Sequence, residues 1–146
     1  MNRNIYYQYY QPNAKDPKRH GSSFGDCTIR ALSKALGLSW LEAFDVTIPF
    51  CREYQTSNIF NMPPKFRNKV MLKLGFYYTG VSNAKGSKRP TVASFAKDHP
   101  SGTYILSTAN HIVTVDSGYY WDSWDSGDKA VYGYYTYSKA LDPEAQ

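Results

Sequence analysis

Three residues of this chain have the side chains and the surroundings that acyl-transfer chemistry requires: Cys27, His111 and Asp122. Cys27 stands in the run Gly25-Asp26-Cys27-Thr28-Ile29-Arg30-Ala31-Leu32, where an apolar helical pattern begins. A thiol is a good nucleophile only as its thiolate. The partial positive charge and free N–H groups of a helix N-terminus favour that form. His111 opens the run His111-Ile112-Val113-Thr114-Val115, which reads as a strand. An imidazole there takes the thiol proton and later returns it to a leaving group. Asp122 closes the next predicted strand, from which a carboxylate holds the far ring nitrogen of His111 in one tautomer. Each residue also has a structural use. A cysteine at a helix start packs, Asp26 beside it caps the helix, a strand histidine is satisfied by its neighbours, and Asp122 and Asp125 serve turns. The order Cys, His, Asp, in elements able to converge, points instead to a thiol hydrolase. Asp125, three residues beyond Asp122, ranks second as orienting group, and Asp116 lies in a hairpin turn too far along the strand.

Which elements must position them follows from periodicity and punctuation. Ile29, Leu32 and Leu36 recur at helical spacing from Asp26 or Cys27, and Gly37 is a natural stop. Ser39-Trp40-Leu41-Glu42 is a capping box for a second helix to about Cys51 or Tyr54, with Pro49 expected to kink or shorten it. Thr56 to Met62 reads as a polar loop, and Pro63-Pro64 opens a third helix through Leu74. Phe76 to Thr79 is a predicted strand, residues 82–90 a basic surface loop, and Thr91 the cap of a short helix through Lys97. Strands are then expected at 102–107, 111–115, 119–121 and 130–137, with Asp116-Ser117-Gly118 turning the chain back beside His111. Upstream, Ile5 to Tyr10 is a strand or an aromatic arm, and residues 1–25 form an extended lead-in to the cysteine. Helices first and an antiparallel meander after them make an α+β pattern, with all 146 residues in one domain.

Composition limits the alternatives. A hydrophobic content of 42% suits a globular chain rather than a disordered one, and the fourteen tyrosines suit sheet and contact surfaces. Residues 1–100 carry fifteen Lys/Arg against six Asp/Glu, whereas residues 101–146 carry two against six. The basic half is either a solvated face or an attraction for acidic partners. It matches no nucleic-acid recognition motif, so nucleic-acid binding is expected to be at most non-specific. Two cysteines, Cys27 and Cys51, are no disulfide framework. No signal-peptide pattern or membrane-length apolar run is present, so no membrane partner is expected and a reducing cytoplasm is the expected location. Cys51 reads as a packing residue, His20 as a loop residue and His99 as a cap or turn residue. The cysteines and histidines lack metal-ligand spacing, and no glycine-rich phosphate loop occurs, so neither metal nor cofactor is expected.

Asp26-Cys27 followed by Ala31-Leu32 resembles the Asp-Cys-Gly-x-x-Ala-Leu block of bacteriocin-processing, double-glycine-type cysteine peptidases. Asp122-Ser123-Trp124 resembles the Asn-Ser-Trp block of papain-like peptidases, in which the tryptophan covers the His–Asn hydrogen bond. Nearly the whole chain is similar to a family of small, largely uncharacterised phage and bacterial proteins. The likeness runs through Tyr10-Gln11-Pro12-Asn13, the Gly25 to Ala31 run, Ser57-Asn58, Phe95 to Tyr104, Asn110-His111 and Trp121 to Gly127. It implies a papain-like α+β fold with N-terminal helices on a C-terminal antiparallel sheet. It also implies a Cys27-His111-Asp122 triad under Trp124, and a peptide or protein substrate cut at a peptide or isopeptide bond. One position departs: papain-like enzymes carry a glutamine ahead of the cysteine as oxyanion donor, and here Gly21 stands there. Asn13, Ser22 or Ser23 would have to substitute, with the Cys27 backbone N–H as second donor. The alternative is a catalytically silent papain-like fold, used by a phage as a module that binds a host protein or nucleic acid.

Overall fold

A computed structural model of the chain describes residues 4–16, 18, 26–84, 86 and 88–139. Among the described residues four helices form where the punctuation places them: α1 (Cys27–Leu36), α2 (Trp40–Tyr54), α3 (Pro64–Lys73) and α4 (Val92–Asp98). Gly37 ends α1 in the left-handed region at φ 68°, its N–H reaching back to the Ser33 carbonyl. Both halves of the Ser39/Glu42 capping box are made at the start of α2, and Thr91 with Ser94 repeats the device at α4. Pro49 lies within α2, which nonetheless runs on to Tyr54. The segment expected to be a polar loop differs from that reading. It contains a 3-10 turn, Ile59–Asn61, and buries Ile59 and Met62 in the core. Asn58 caps that turn by accepting from the Phe60 N–H at 2.9 Å.

Six strands among the described residues make one sheet: β1 (Tyr7–Tyr9), β2 (Phe76–Gly80), β3 (Thr103–Thr108), β4 (His111–Asp116), β5 (Tyr119–Asp122) and β6 (Gly133–Tyr137), in the order β1-β5-β4-β3-β6-β2. The sheet is mixed, which corrects the expectation of an antiparallel meander. The successive strands β3, β4 and β5 do form hairpins. β6 returns to the far side of β3, because residues 123–132 carry the chain away from β5 before it re-enters. β1 joins β5 in parallel, as a strand separated from its partner by all four helices is free to do.

Alternation along the central strands sorts the helices onto two faces. Ile105, Ile112 and Tyr135 join Leu32, Ala43, Met71 and Phe76 in one core beneath α1, α2 and α3. Leu106, Val113, Val115 and Tyr120 point the other way, onto Val92, Phe95 and Ala96 of α4. The helices are therefore not all stacked on one side. Among the described residues, no helix is long and apolar enough to cross a membrane.

Candidate active site

Cys27 is the first residue of α1, and α1 is pinned against β4 by the Thr114 hydroxyl, which donates to the Ala31 carbonyl at 2.7 Å. This brings the helix N-terminus to the start of β4, where His111 is the first strand residue. The turn before it places Asn110 at φ 53°, a left-handed conformation that asparagine tolerates. Asp26 is the N-cap residue by position, but its carboxylate makes no cap hydrogen bond. It is ion-paired with Arg30 one turn along and accepts from Trp40 Nε1 at 3.2 Å.

Strand register decides what meets His111. β4 and β5 pair Thr114 with Trp121, Val115 with Tyr120 and Asp116 with Tyr119. Continued past the last paired residues, this register sets Trp124 opposite His111 and Asp122 on the diagonal, within reach of a ring. His111 Nε2 lies 2.6 Å from Asp122 Oδ2. The Trp124 ring centroid is 4.8 Å from that of His111, at 43°. With Nε2–H directed to Asp122, Nδ1 is the nitrogen left for Cys27, which lines the same chamber as the imidazole. The structure thus brings together Cys27, His111, Asp122 and Trp124.

Asp122 is almost fully buried, and every lone pair is in use. Oδ2 also accepts from Ser126 Oγ at 2.6 Å, while Oδ1 accepts from the Ser123 N–H at 2.8 Å and from Arg30 Nη2 at 3.2 Å. Burial alone pushes its carboxyl up, but His111, Ser126 and Arg30 outweigh that and hold it below the usual carboxylate value. Burial likewise disfavours a charged His111. The hydrogen bonds and charges of Asp122 and Cys27 win, and raise the imidazole to about 9. For Cys27, burial opposes ionisation, yet the His111 hydrogen bond, the Ile112 backbone and the His111 and Arg30 charges lower the thiol below its ordinary value. Both shifts favour a thiolate–imidazolium pair with an ionised carboxylate behind it.

Cys27 and His111 open onto a polar chamber of about 470 Å³ that Asn58, Asn61, Arg67 and Asn110 also line. A second, more apolar cavity of about 370 Å³ adjoins it, bounded by Ile29, Trp40, Phe44, Ile48 and Cys51. Thr28 and Asn58 belong to both walls and are joined by a 3.0 Å hydrogen bond from Thr28 Oγ1 to Asn58 Oδ1. Because Asn58 Oδ1 also accepts the Phe60 N–H, the orientation of the amide is fixed and its NH2 group is left to the cavities.

Other expected site residues fare differently. Asn13 sits in a turn and lines neither of these cavities. Gly21, Ser22 and Ser23, like His20, lie outside the described residues. Asp125 does not approach His111, for its Oδ1 accepts from the Tyr120 hydroxyl and from the Gly127 N–H at 3.0 Å. Asp116 accepts from Thr103 Oγ1 at 2.7 Å. His99 caps α4, stacked on Phe95 with ring centroids 3.7 Å apart. Three supporting residues were not singled out from sequence: Arg30, Ser126 and Asn58. Arg30 carried a signal, because Asp26 and Arg30 stand four apart on one helix. Ser126 and Asn58 lie in stretches that carry the family likeness, but nothing in the sequence pointed to their roles beyond being polar loop residues. Among the described residues no cluster of three or more His, Cys, Asp or Glu side chains is placed to hold a metal. Comparison with protein-family models, curated proteins and solved structures finds no match to this chain.

Proposed function

We propose that the protein is a papain-like cysteine hydrolase that cleaves an amide, in a peptide or isopeptide bond, through a thioester. The observation that carries this reading is that Cys27 and His111 line one open chamber, with Asp122 hydrogen-bonded to the imidazole, the thiol lowered and the imidazole raised.

In this reading the Cys27 thiolate attacks the substrate carbonyl carbon, and the carbonyl oxygen becomes an oxyanion. The N–H groups of the first turn of α1 have no intrahelical acceptor and point at that charge. The Asn58 NH2 group supplies the side-chain donor that Gly21 lacks. The imidazolium gives its Nδ1 proton to the leaving nitrogen, the C–N bond breaks and an amine departs. A water molecule, deprotonated by the neutral His111, then attacks the thioester. The carboxylic acid leaves and the thiolate–imidazolium pair is restored. Asp122 stays ionised throughout and stabilises the imidazolium. Trp124 shields the His111–Asp122 hydrogen bond on one side, which strengthens it by lowering the local dielectric.

Two measurements test this. Iodoacetamide at neutral pH is expected to alkylate Cys27 well before Cys51, by peptide mass mapping. p-Nitrophenyl acetate is expected to give a burst of one acyl group per chain followed by turnover, with both phases lost in Cys27→Ser and turnover lost in His111→Ala. Equal labelling of the two thiols, with no burst, would leave a silent fold that binds a partner.

A further inference from the structure

The chamber that holds Cys27 and His111 contains a second cation, Arg67, and among the described residues no carboxylate side chain lines it. Arg67 projects from α3 and is held from behind. Its Nε–H donates to the Tyr135 hydroxyl at 2.9 Å, and that hydroxyl is itself committed as donor to Asn68 Oδ1 at 2.5 Å. The guanidinium carbon lies 5.6 Å from the centroid of the Phe60 ring, and Phe60 packs edge-on against Tyr135 at 5.7 Å. Nε is thus occupied, whereas neither Nη group makes a hydrogen bond or ion pair with any described residue. The other arginine near the site behaves in the opposite way, for Arg30 is ion-paired with both Asp26 and Asp122.

A half-buried guanidinium, oriented by a buried tyrosine and facing a cavity that no described carboxylate lines, has its remaining fork of donors free of any described partner. That fork matches a carboxylate in bidentate geometry. We infer that Arg67 is the anchor for a carboxylate on the substrate, so that the amide cleaved at Cys27 belongs to a molecule bearing a free carboxylate on the portion seated in the chamber. Asn61 and Asn110 line the same chamber and add neutral donors or acceptors beside the anion. The inference rests on the thiol-hydrolase reading for its reaction, but its binding half can be measured without that chemistry.

The first experiment compares N-ethylmaleimide with 3-maleimidopropionate and 6-maleimidohexanoate as reagents for Cys27, followed by intact mass. In each case the thiolate sulfur adds to the ring double bond and the α-carbon takes a proton from water. The imidazolium and the helix N-terminus also favour anionic reagents, so the informative quantity is the acid-to-neutral rate ratio in wild type against Arg67→Gln. A roughly tenfold fall in that ratio is expected for at least one acid, with partial recovery in Arg67→Lys. An unchanged ratio for both acids overturns the anchor. The second experiment needs no reactive thiol. In the Cys27→Ser protein, glutarate is expected to raise the melting temperature, glutaramide is not, and Arg67→Gln is expected to abolish the shift. No glutarate shift, or one that survives Arg67→Gln, overturns the proposal. Inorganic phosphate stabilising more than glutarate does, through Arg67, overturns the carboxylate assignment in favour of a phosphate. A slow, pH-independent N-ethylmaleimide reaction alongside an intact glutarate shift would instead count against the hydrolase reading alone.

Discussion

The charges of Cys27 and His111 set opposite pH dependences on stability. His111 has its folded pKa raised from 6.5 to about 9. Its contribution is complete below about 6.5 and is lost as pH rises through about 9. Cys27 has its folded pKa lowered from 9.0. Its contribution is complete above about 9 and is lost as pH falls through the folded value. In the window they share, the unfolded chain has lost the histidine proton and kept the thiol proton, while the folded chain has done the reverse. The bound protons balance, so wild-type stability is expected to be nearly flat with pH there. Cys27→Ser removes one side of the balance, and its melting temperature is expected to fall as pH rises above about 6.5, over a narrower span than the wild-type His111 value implies, because Cys27 also contributes to raising His111. A wild type as steeply pH-dependent as Cys27→Ser would show that the thiolate does not form. Asp122 adds a separate acid-side loss, as pH falls through its lowered folded pKa below 3.8. Trp124 is a second residue-scale case. Its ring packs at a tilt against His111 yet remains 42% exposed, so Trp124→Ala is expected to cost little stability. It admits water to the His111–Asp122 hydrogen bond and is expected to slow Cys27 alkylation severalfold at neutral pH, measured as a second-order rate constant.

Two local devices hold the elements that carry the site. The first is the β4–β5 hairpin, whose turn residues Ser117 and Gly118 both have positive φ, at 55° and 84°. Positive φ at both central positions is what a type I′ connection demands, and its twist suits the flanking strands. A Cβ on Gly118 would also lie 3.2 Å from Pro100 Cα. Gly118→Ala is therefore expected to cost about 1–2 kcal/mol from backbone strain, and to loosen the register that sets Asp122 beside His111. Chemical denaturation together with the Cys27 alkylation rate checks both effects. The second device is Arg30, whose side chain is 6% exposed and ties the first turn of α1 to the end of β5. Arg30→Ala leaves Asp26 without its cation and Asp122 with His111 alone. The expected loss is about 1–3 kcal/mol, a drop of several degrees in melting temperature for a chain of this size. Loss of under about 1 kcal/mol would mean that solvent already screens the pair.

Across the whole molecule the charge is lopsided: the basic excess lies in residues 1–100 and the acidic excess in 101–146. Such a field attracts polyanions weakly and without regard to sequence. Unrelated DNA duplexes are expected to bind alike, with affinity falling steeply as salt rises, in a titration followed by fluorescence anisotropy. A tight complex with one sequence at physiological salt would contradict this. The same lopsidedness leaves the chamber beside Cys27, assembled from both halves, with cations and, among the described residues, no carboxylate lining it.

Much of this architecture was written locally. Gly37, the Ser39 and Thr91 boxes and Pro64 act on neighbours only one turn away, so helix ends were legible from sequence alone. That Cys27, His111 and Asp122 could meet was legible for a similar reason: a helix start and a tight hairpin are short-range structures, and the side-chain types are distinctive. What lay across long sequence separations was not legible. The parallel docking of β1 on β5 and the return of β6 to β3 depend on which apolar faces remain uncovered after the helices pack, and no short window holds that information. The same is true of the sheet-splitting of α4 from the other helices, and of Ile59 and Met62 entering the core from an otherwise polar segment. At the site, Arg30 reaches Asp122 across 92 positions, and Asn58 and Arg67 reach the chamber from a turn and a helix that are remote from Cys27 in sequence. Sequence determined which residues could react, because reactivity is a property of side chains and their immediate backbone. Tertiary structure decided which residues surround them, because burial and charge are set by whatever the fold brings within a few ångströms.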